Sequence, residues 1–581
     1  MNASTALARL VVDELVRHGV RDAVLAPGSR SAALALALHD AQVRGQLRVH
    51  VRVDERSAGF VALGLARGSH RPVPVVTTSG SAVAHLHPAV LEAHHAGLPL
   101  VVVSADRPAE LRGSGANQTT DQAGLFGGAV RRSVDVPADV LATAGVAGRE
   151  LAVRAWRAQV ARLLLAATGA DSRDPGPVQL NCCFAPPLVP DEDDDGAVPP
   201  GRSDGRAWTT VADEPPDGLA GETPHELAIG PRTVVVAGAD AGPRTRELAE
   251  RAGWPLVAEP TSGARTGDHA LRCGSMLLAD PVLGGEVQRV VVAGRPTVSR
   301  PVTALLSRSD VELVALATSP RWADPGNQAA VVLSSATVTD RDDPRWRQRW
   351  VKADARASTA VDDVLARAAD RLPAGTLLGA EVARAVSEAV PPCGLLVVGS
   401  SSPVRDLDLM ARPYPVGERR LVVANRGLSG IDGTVSTAVG AALGRRSCRA
   451  FALLGDLTFC HDLGGLLLGP AEPRPDLTIV VAADDGGSIF ATLEPGASRF
   501  AEAFERFFAT PTGADLGALC EATGTPHLRV TEVEQLRSGL RDRRSGIRVL
   551  EAVVDRAGRR GLDGELRRAV AAALGEHHTY G

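Results

Sequence analysis

The sequence predicts an α/β protein built on parallel sheets. Two observations carry this: short β-branched runs recur along the chain, and stretches with helical periodicity stand between them. A third is size. With 581 residues, 44% hydrophobic and 23% charged, the chain can bury several cores without disulfides or structural metals.

The first block opens with a helix from a Ser4 cap to about His18. Leu7, Leu10, Val11 and Leu15 share one face, and Gly19 stops it. Ala23–Ala26 is a strand ending at Pro27-Gly28. Val49–Val53 is a second strand, leading into a small-residue helix, Ala58–Ala66. Val73–Thr77 and Leu100–Val103 follow as strands. From 187 to 230 the composition changes: Asp191–Asp195, Pro199, Pro200, Gly201, Pro215 and Pro216 predict a linker with little regular structure. A second block holds strands at Thr233–Val236, Val290–Val292 and Val311–Ala315. A charged, mostly helical connection spans about 340–375. The third block begins with a helix near Leu378–Val390 and has strands at Leu395–Val398, Ala450–Leu454 and Leu477–Val481. The expected domains are 1–186, 231–350 and 377–581, with linkers at 187–230 and 351–376. No short-period repeat occurs, although the first and third blocks share a general α/β pattern.

Composition excludes several classes. A net charge of −5 fits neither a nucleic-acid binder nor an acidic tail protein. Seven cysteines, an odd number with no CxxC pair, argue against a disulfide framework or a zinc ribbon; free thiols fit the cytoplasm. No apolar run approaches the roughly 18 residues of a membrane span. Met1–Thr5 begins no signal peptide. Lys352 is the sole lysine, so anionic ligands fall to Arg, His and backbone N–H groups.

The strongest chemical signal lies in the third block. Strand Phe451–Leu454 runs into Gly455-Asp456-Leu457, and strand Leu477–Val481 runs toward Asp484-Asp485-Gly486-Gly487-Ser488-Ile489-Phe490. Consecutive parallel strands bring Asp456 and Asp484 to one C-terminal sheet edge, where open α/β sheets bind ligands. Two carboxylates and a backbone carbonyl near Gly486 suit Mg²⁺, which completes its octahedron with water and phosphate oxygens. The plainer alternative is that both aspartates end strands or cap helices. A second signal is Val53-Asp54-Glu55-Arg56. Glu55 is either an acid favoured by a helix N-terminus or a half-buried carboxylate sharing a proton with a bound heterocycle. His85, His87, His94 and His95 match no zinc spacing. The Val236–Gly242 turn is a weak dinucleotide signal.

Taken together, these motifs resemble the thiamine-diphosphate-dependent enzymes. Ala26-Pro27-Gly28-Ser29-Arg30-Ser31, Thr78-Ser79-Gly80-Ser81, Ser104-Ala105-Asp106-Arg107-Pro108, Gly115-Ala116-Asn117-Gln118 and Asn425-Arg426-Gly427-Leu428-Ser429-Gly430-Ile431-Asp432-Gly433 narrow the resemblance. The ordered series is similar to the 2-succinyl-5-enolpyruvyl-6-hydroxy-3-cyclohexene-1-carboxylate synthases of menaquinone biosynthesis, and spans the whole chain.

The resemblance implies three Rossmann-like domains of the thiamine-diphosphate-binding fold: pyrimidine-binding, middle and diphosphate-binding. It implies decarboxylation of 2-oxoglutarate and addition of the succinyl-semialdehyde carbanion to isochorismate. Glu55 would hydrogen-bond the cofactor's aminopyrimidine. Asp456, Asp484 and the Gly486 carbonyl would bind Mg²⁺ or Mn²⁺. Gly455, Gly487, Ile431, Ile489 and Phe490 would surround thiamine diphosphate. Ser29, Arg30, Arg107, Asn117, Gln118, Arg300, Ser401, Arg405 and Arg426 would bind the acidic substrates, since arginine forks pair bidentately with carboxylates. Ser299 stands where some members carry a basic residue, and Asp485 is an extra carboxylate without an assigned role. Active sites are expected at the subunit interface of a homodimer or homotetramer, with no nucleic-acid or membrane partner. The competing readings are another thiamine-diphosphate 2-oxoacid decarboxylase or carboligase and a catalytically silent homologue.

Overall fold

A computed structural model describes residues 1–140, 145–211, 224–317, 319–446 and 449–578. The chain divides into two compact units. The first comprises Met1–Asp213, Asp432–Ser447 and Asp462–Pro475; the second comprises Glu214–Ile431, Cys448–His461 and Asp476–Gly581.

The first unit carries a six-stranded parallel sheet of β1 (Asp22–Leu25), β2 (Arg48–Val51), β3 (Val73–Thr77), β4 (Leu100–Asp106), β5 (Ser133–Pro137) and β6 (Val178–Cys183). Its order is β2-β1-β3-β4-β6-β5. β3, β4 and β6 are buried along their whole length, as expected of a parallel sheet covered on both faces. The opening helix, Ala3–Arg17, is capped by Asn2, whose side chain accepts from the Thr5 N–H. Ser4, the expected cap, is buried and donates to the Ala185 carbonyl instead.

The segment after β6 has no helix or strand through residue 211, yet it does not run free. Arg9 donates to Asp194 at 2.6 Å, Arg157 to the Pro199 carbonyl at 2.6 Å, and the Trp208 N–H to Glu14 at 2.6 Å. Buried charged side chains thus satisfy the backbone of a segment too polar to form a core. Pro215 and Pro216 lie outside the described residues.

The second unit begins with β7 (His225–Glu226) and a five-stranded parallel sheet: β8 (Thr233–Ala237), β9 (Leu256–Ala258), β10 (Arg289–Ala293), β11 (Glu312–Leu316) and β12 (Ala329–Leu333), ordered β12-β11-β10-β8-β9. β13 (Ala336–Thr337) pairs with β7. The charged connection is one helix, Pro344–Ala369. It buries Trp346, Trp350, Ala353, Ala357, Val361, Val364 and Leu365 along one stripe. A third parallel sheet follows, of β14 (Leu395–Val398), β15 (Leu421–Val423), β16 (Ala450–Gly455), β17 (Leu477–Ala483), β18 (His527–Val530) and β19 (Ile547–Val553). Its order is β15-β14-β16-β17-β19-β18. The helix and both sheets share one apolar core that includes Val290, Trp350, Leu396 and Val480.

One helix pair shapes the first unit. The Glu55–Ser69 helix follows β2, and the Thr434–Arg445 helix follows β15. They meet through glycines: a Cβ on Gly64 would lie 2.2 Å from the Thr437 carbonyl oxygen, and one on Gly440 would lie 2.1 Å from that of Val61. No side chain fits at either point. The Glu55–Ser69 helix also starts earlier than the expected Ala58, because Asp54 caps it by accepting from the Arg56 N–H.

Candidate functional site

β16 and β17 are parallel neighbours, with Gly455 opposite Ala482. This register delivers Asp456 and Asp484 to one edge. Asp456 is buried and accepts from the Leu457 N–H at 2.7 Å and the Gly486 N–H at 3.0 Å. Burial pushes its carboxyl up to about 6 against those two hydrogen bonds. Burial likewise pushes Asp484 up to about 7; Ser488 opposes the rise and Asp456 adds to it. A buried and a half-buried carboxylate that repel each other are costly unless a cation joins them. Their oxygens suit a hard divalent ion, so the donor set fits the expected metal.

The turn between them is shaped by glycine. Gly486 has φ 144°, and a Cβ there would lie 2.6 Å from the Ala509 carbonyl oxygen. The Gly487 N–H donates to that same carbonyl at 2.7 Å. A Cβ on Gly455 would meet nothing within 4 Å, which leaves room beside Asp456. Ile489 and Phe490 follow, half-buried, in the short helix Ser488–Thr492. Ile431 is half-buried after β15. Asp485 is exposed, and its Oδ1 accepts from the Gly513 N–H at 3.2 Å, so it fastens the turn.

Arginines of the second unit gather beside this edge. Arg405 donates to the Ser401 carbonyl at 2.8 Å. Ser401 holds φ 74° and ψ −136°, a backbone state that costs a non-glycine residue of order 1–3 kcal/mol and clusters at functional sites. Burial lowers the pKa of Arg405, with Arg559 and Arg300 adding to the effect. Arg426 is buried and donates to Ser400 Oγ at 3.3 Å. Arg300 opens the Arg300–Leu306 helix; it is exposed and faces Glu494 at 3.3 Å. Sequence reasoning missed Arg559, which grips Asp406 through both nitrogens at 2.8 and 2.6 Å, and whose charge reaches Asp484. Its position after β19 carried no motif.

The first unit has a polar edge of its own, made by the loops after β1, β3, β4 and β6. Gly28 lies so close to Thr78 that a Cβ would sit 2.3 Å from its Cβ. Arg30 donates to the Phe184 carbonyl at 2.8 Å, and Arg107 donates to Ser79 Oγ. Ser79 Oγ donates to the Gln118 carbonyl at 3.0 Å, and Gln118 Nε2 returns a bond to the Ser79 carbonyl at 2.9 Å. Burial and the neighbouring Arg107 both lower the pKa of Arg30. Ser29 and Asn117 are exposed beside these loops. Ser79 is the centre sequence reasoning did not assign; its Ser-Gly pair after a strand was the available signal. Glu55 is the first residue of its helix and half-buried.

His94 Nδ1 sits 3.0 Å from the Ala129 carbonyl, and no three His, Cys, Asp or Glu side chains gather as a metal site among the described residues. The Val236–Gly242 turn is filled from within: a Cβ on Gly238 would lie 2.0 Å from the Pro296 nitrogen.

Comparison with known proteins agrees with this chemistry. Residues 5–125 match the family model "Thiamine pyrophosphate enzyme, N-terminal TPP binding domain". The 2-succinyl-5-enolpyruvyl-6-hydroxy-3-cyclohexene-1-carboxylate synthase of Nocardioides sp. is 50% identical, covering 97% of this chain and 98% of that protein. Its namesake in Rhodococcus erythropolis is 46% identical over 98% and 99%. That of Kineococcus radiotolerans is 49% identical over 96% and 97%. The chain therefore belongs to the 2-succinyl-5-enolpyruvyl-6-hydroxy-3-cyclohexene-1-carboxylate synthase family of thiamine-diphosphate-dependent enzymes.

Proposed function

We propose that the protein decarboxylates 2-oxoglutarate and joins the remaining four-carbon unit to isochorismate. Carbon dioxide leaves, one carbon–carbon bond forms, and the product serves menaquinone biosynthesis. The observation that carries this is the near-full-length likeness to synthases of that name, together with arginine-lined sheet edges suited to acidic substrates.

Thiamine diphosphate, when bound, supplies the carbanion stabilisation that no side chain provides. The chain's residues bind and orient. Asp456, Asp484 and the Gly486 carbonyl would hold Mg²⁺ or Mn²⁺. Gly455 and Gly487 would leave the backbone open to the diphosphate. Glu55 would hold a proton for the aminopyrimidine ring, and Ile431 would support the cofactor. Ile489 and Phe490 would exclude water beside it. Arg30 and Arg107, with Ser29, Asn117 and Gln118, receive one set of substrate carboxylates. Arg300, Arg405 and Arg426, with Ser401, receive another.

The site is completed in a homodimer, alone or paired into a tetramer, in the cytoplasm. The described cysteines are free thiols, which supports a reducing compartment. Among the described residues no helix is long and apolar enough to cross a membrane.

The test is loss of isochorismate absorbance with purified protein, thiamine diphosphate, Mg²⁺ and 2-oxoglutarate. Consumption that stops when either 2-oxoglutarate or cofactor is omitted is the expected result. Intact cofactor binding without isochorismate consumption would overturn the reading, in favour of another decarboxylase or a silent homologue.

A further inference from the structure

Glu259 follows β9 and is 3% exposed. Its Oε1 accepts two successive backbone N–H groups, those of Thr297 and Val298, each at 2.8 Å. These residues lie in the turn between β10 and the Arg300–Leu306 helix. Thr297 in turn holds Arg426. The guanidinium donates to Thr297 Oγ1 at 2.9 Å through Nε and 2.7 Å through Nη2, and to the Thr297 carbonyl at 2.9 Å. Two residues further on, the same turn delivers Arg300. One carboxyl thus anchors the segment that holds Arg426 and leads into Arg300.

The other oxygen, Oε2, is buried without a hydrogen-bond partner. A half-satisfied buried carboxyl is an expensive way to fill space. It is explained if the turn must be held at this point, because two adjacent N–H groups leaving a strand need one strong acceptor. Thr297 itself is exposed, so packing does not fix it.

We propose that Glu259 is a positioning residue for substrate recognition: by clamping the Thr297–Val298 turn it sets where Arg426 and Arg300 present their guanidinium groups. This rests on the reading above that these arginines take substrate carboxylates.

The holoenzyme tests it by steady-state kinetics. In E259A the KM for one of the two acidic substrates is expected to rise about tenfold, while kcat and half-saturation by thiamine diphosphate change less than about threefold. E259Q keeps an acceptor oxygen and is expected to restore KM to within about threefold of the wild type. E259A and R426A are expected to be non-additive, since both disable one contact. Thr297→Val, which spares the clamp and removes the Oγ1 acceptor, is expected to raise the same KM. Amide hydrogen exchange at Thr297 and Val298 is expected to accelerate in E259A and not in E259Q, a readout that needs no turnover. Unchanged KM values in E259A, an equal loss in both KM values and cofactor saturation, multiplying effects of E259A and R426A, or unchanged exchange would each overturn the proposal. A wild-type protein that binds cofactor but never consumes isochorismate would instead overturn the functional reading beneath it.

Discussion

The two six-stranded sheets have the same strand order. Counted from its own first strand, each reads 2-1-3-4-6-5. The fourth strands, β4 and β17, are both seven residues long. The residue that follows is Arg107 in one and Asp484 in the other. After the third strands stand Ser79 and Asp456. One edge therefore gathers cations held by neutral oxygens, Arg30 on a carbonyl and Arg107 on a hydroxyl. Its counterpart gathers carboxylates, Asp456 buried and Asp484 half-buried, whose pKa values are raised. The crossover helices after the second strands match too, each yielding to the other at a glycine. The fold sets where a ligand meets the sheet; the few residues just past the strand ends set which charge it meets.

The sharpest way to break this comparison is at the acidic edge. Asp456→Ala is expected to lower turnover by about 10³-fold or more and to abolish the Mg²⁺ dependence of thiamine diphosphate binding, read by calorimetry. Undiminished Mg²⁺-dependent binding would mean that this edge does not hold the metal. Next comes the glycine crossing. Gly64→Ala sets a methyl group against the Thr437 carbonyl and is expected to destabilise by about 3 kcal/mol, measured by denaturant unfolding of the first unit's transition. A neutral result would show that the two helices part easily. At the basic edge, Arg107→Ala is expected to raise the KM for an acidic substrate by ten- to a hundredfold, about 1.5–3 kcal/mol for a charged hydrogen bond. Metal-dependent cofactor binding should stay intact. Loss of cofactor binding there would erase the division of labour.

Much of this is legible in the sequence. Strands such as Thr233–Ala237 and Leu395–Val398 announce themselves as unbroken β-branched or aliphatic runs, and fall where expected. β6, Val178–Cys183, was hidden because its buried sequence mixes Gln and Asn with Cys; hydrogen bonds from Gln179 and Asn181 make those side chains acceptable in a core. Asp456 and Asp484 could be placed from strand ends alone, since a parallel sheet has one C-terminal edge. Glu259 could not. Its partners, Thr297 and Val298, are distant in sequence, and a lone glutamate before a proline carries no spacing rule. Arg559 was invisible for the same reason. Likewise, nothing in a run of aspartates and prolines says that Arg9 and Arg157 will hold it.

The smallest expected effect separates two buried glutamates, one in each unit. Burial raises Glu14, but hydrogen bonds from His18, the Trp208 N–H and Arg157 outweigh it and hold the carboxyl below its ordinary value. Such a group stabilises the fold above its unfolded pKa, and that contribution fades as pH falls through the folded value. Glu259 runs the other way. Burial dominates, Asp408 adds to it, and Arg426 with the two backbone hydrogen bonds only partly opposes, leaving the carboxyl at about 8 against an ordinary 4.5. Between those values the folded chain keeps a proton that the unfolded chain has lost. Stability tied to Glu259 is therefore complete below about pH 4.5 and drains away as pH climbs toward 8. Glutamine carries no such proton. The thermal midpoint of E259Q relative to wild type is expected to climb by a few degrees from pH 5 to pH 8 and then level off, by scanning calorimetry. A difference that stays constant with pH would mean that Glu259 is ionised throughout. A negative charge would then sit beneath the turn that Arg426 grips through Thr297, and would partly cancel that arginine's charge.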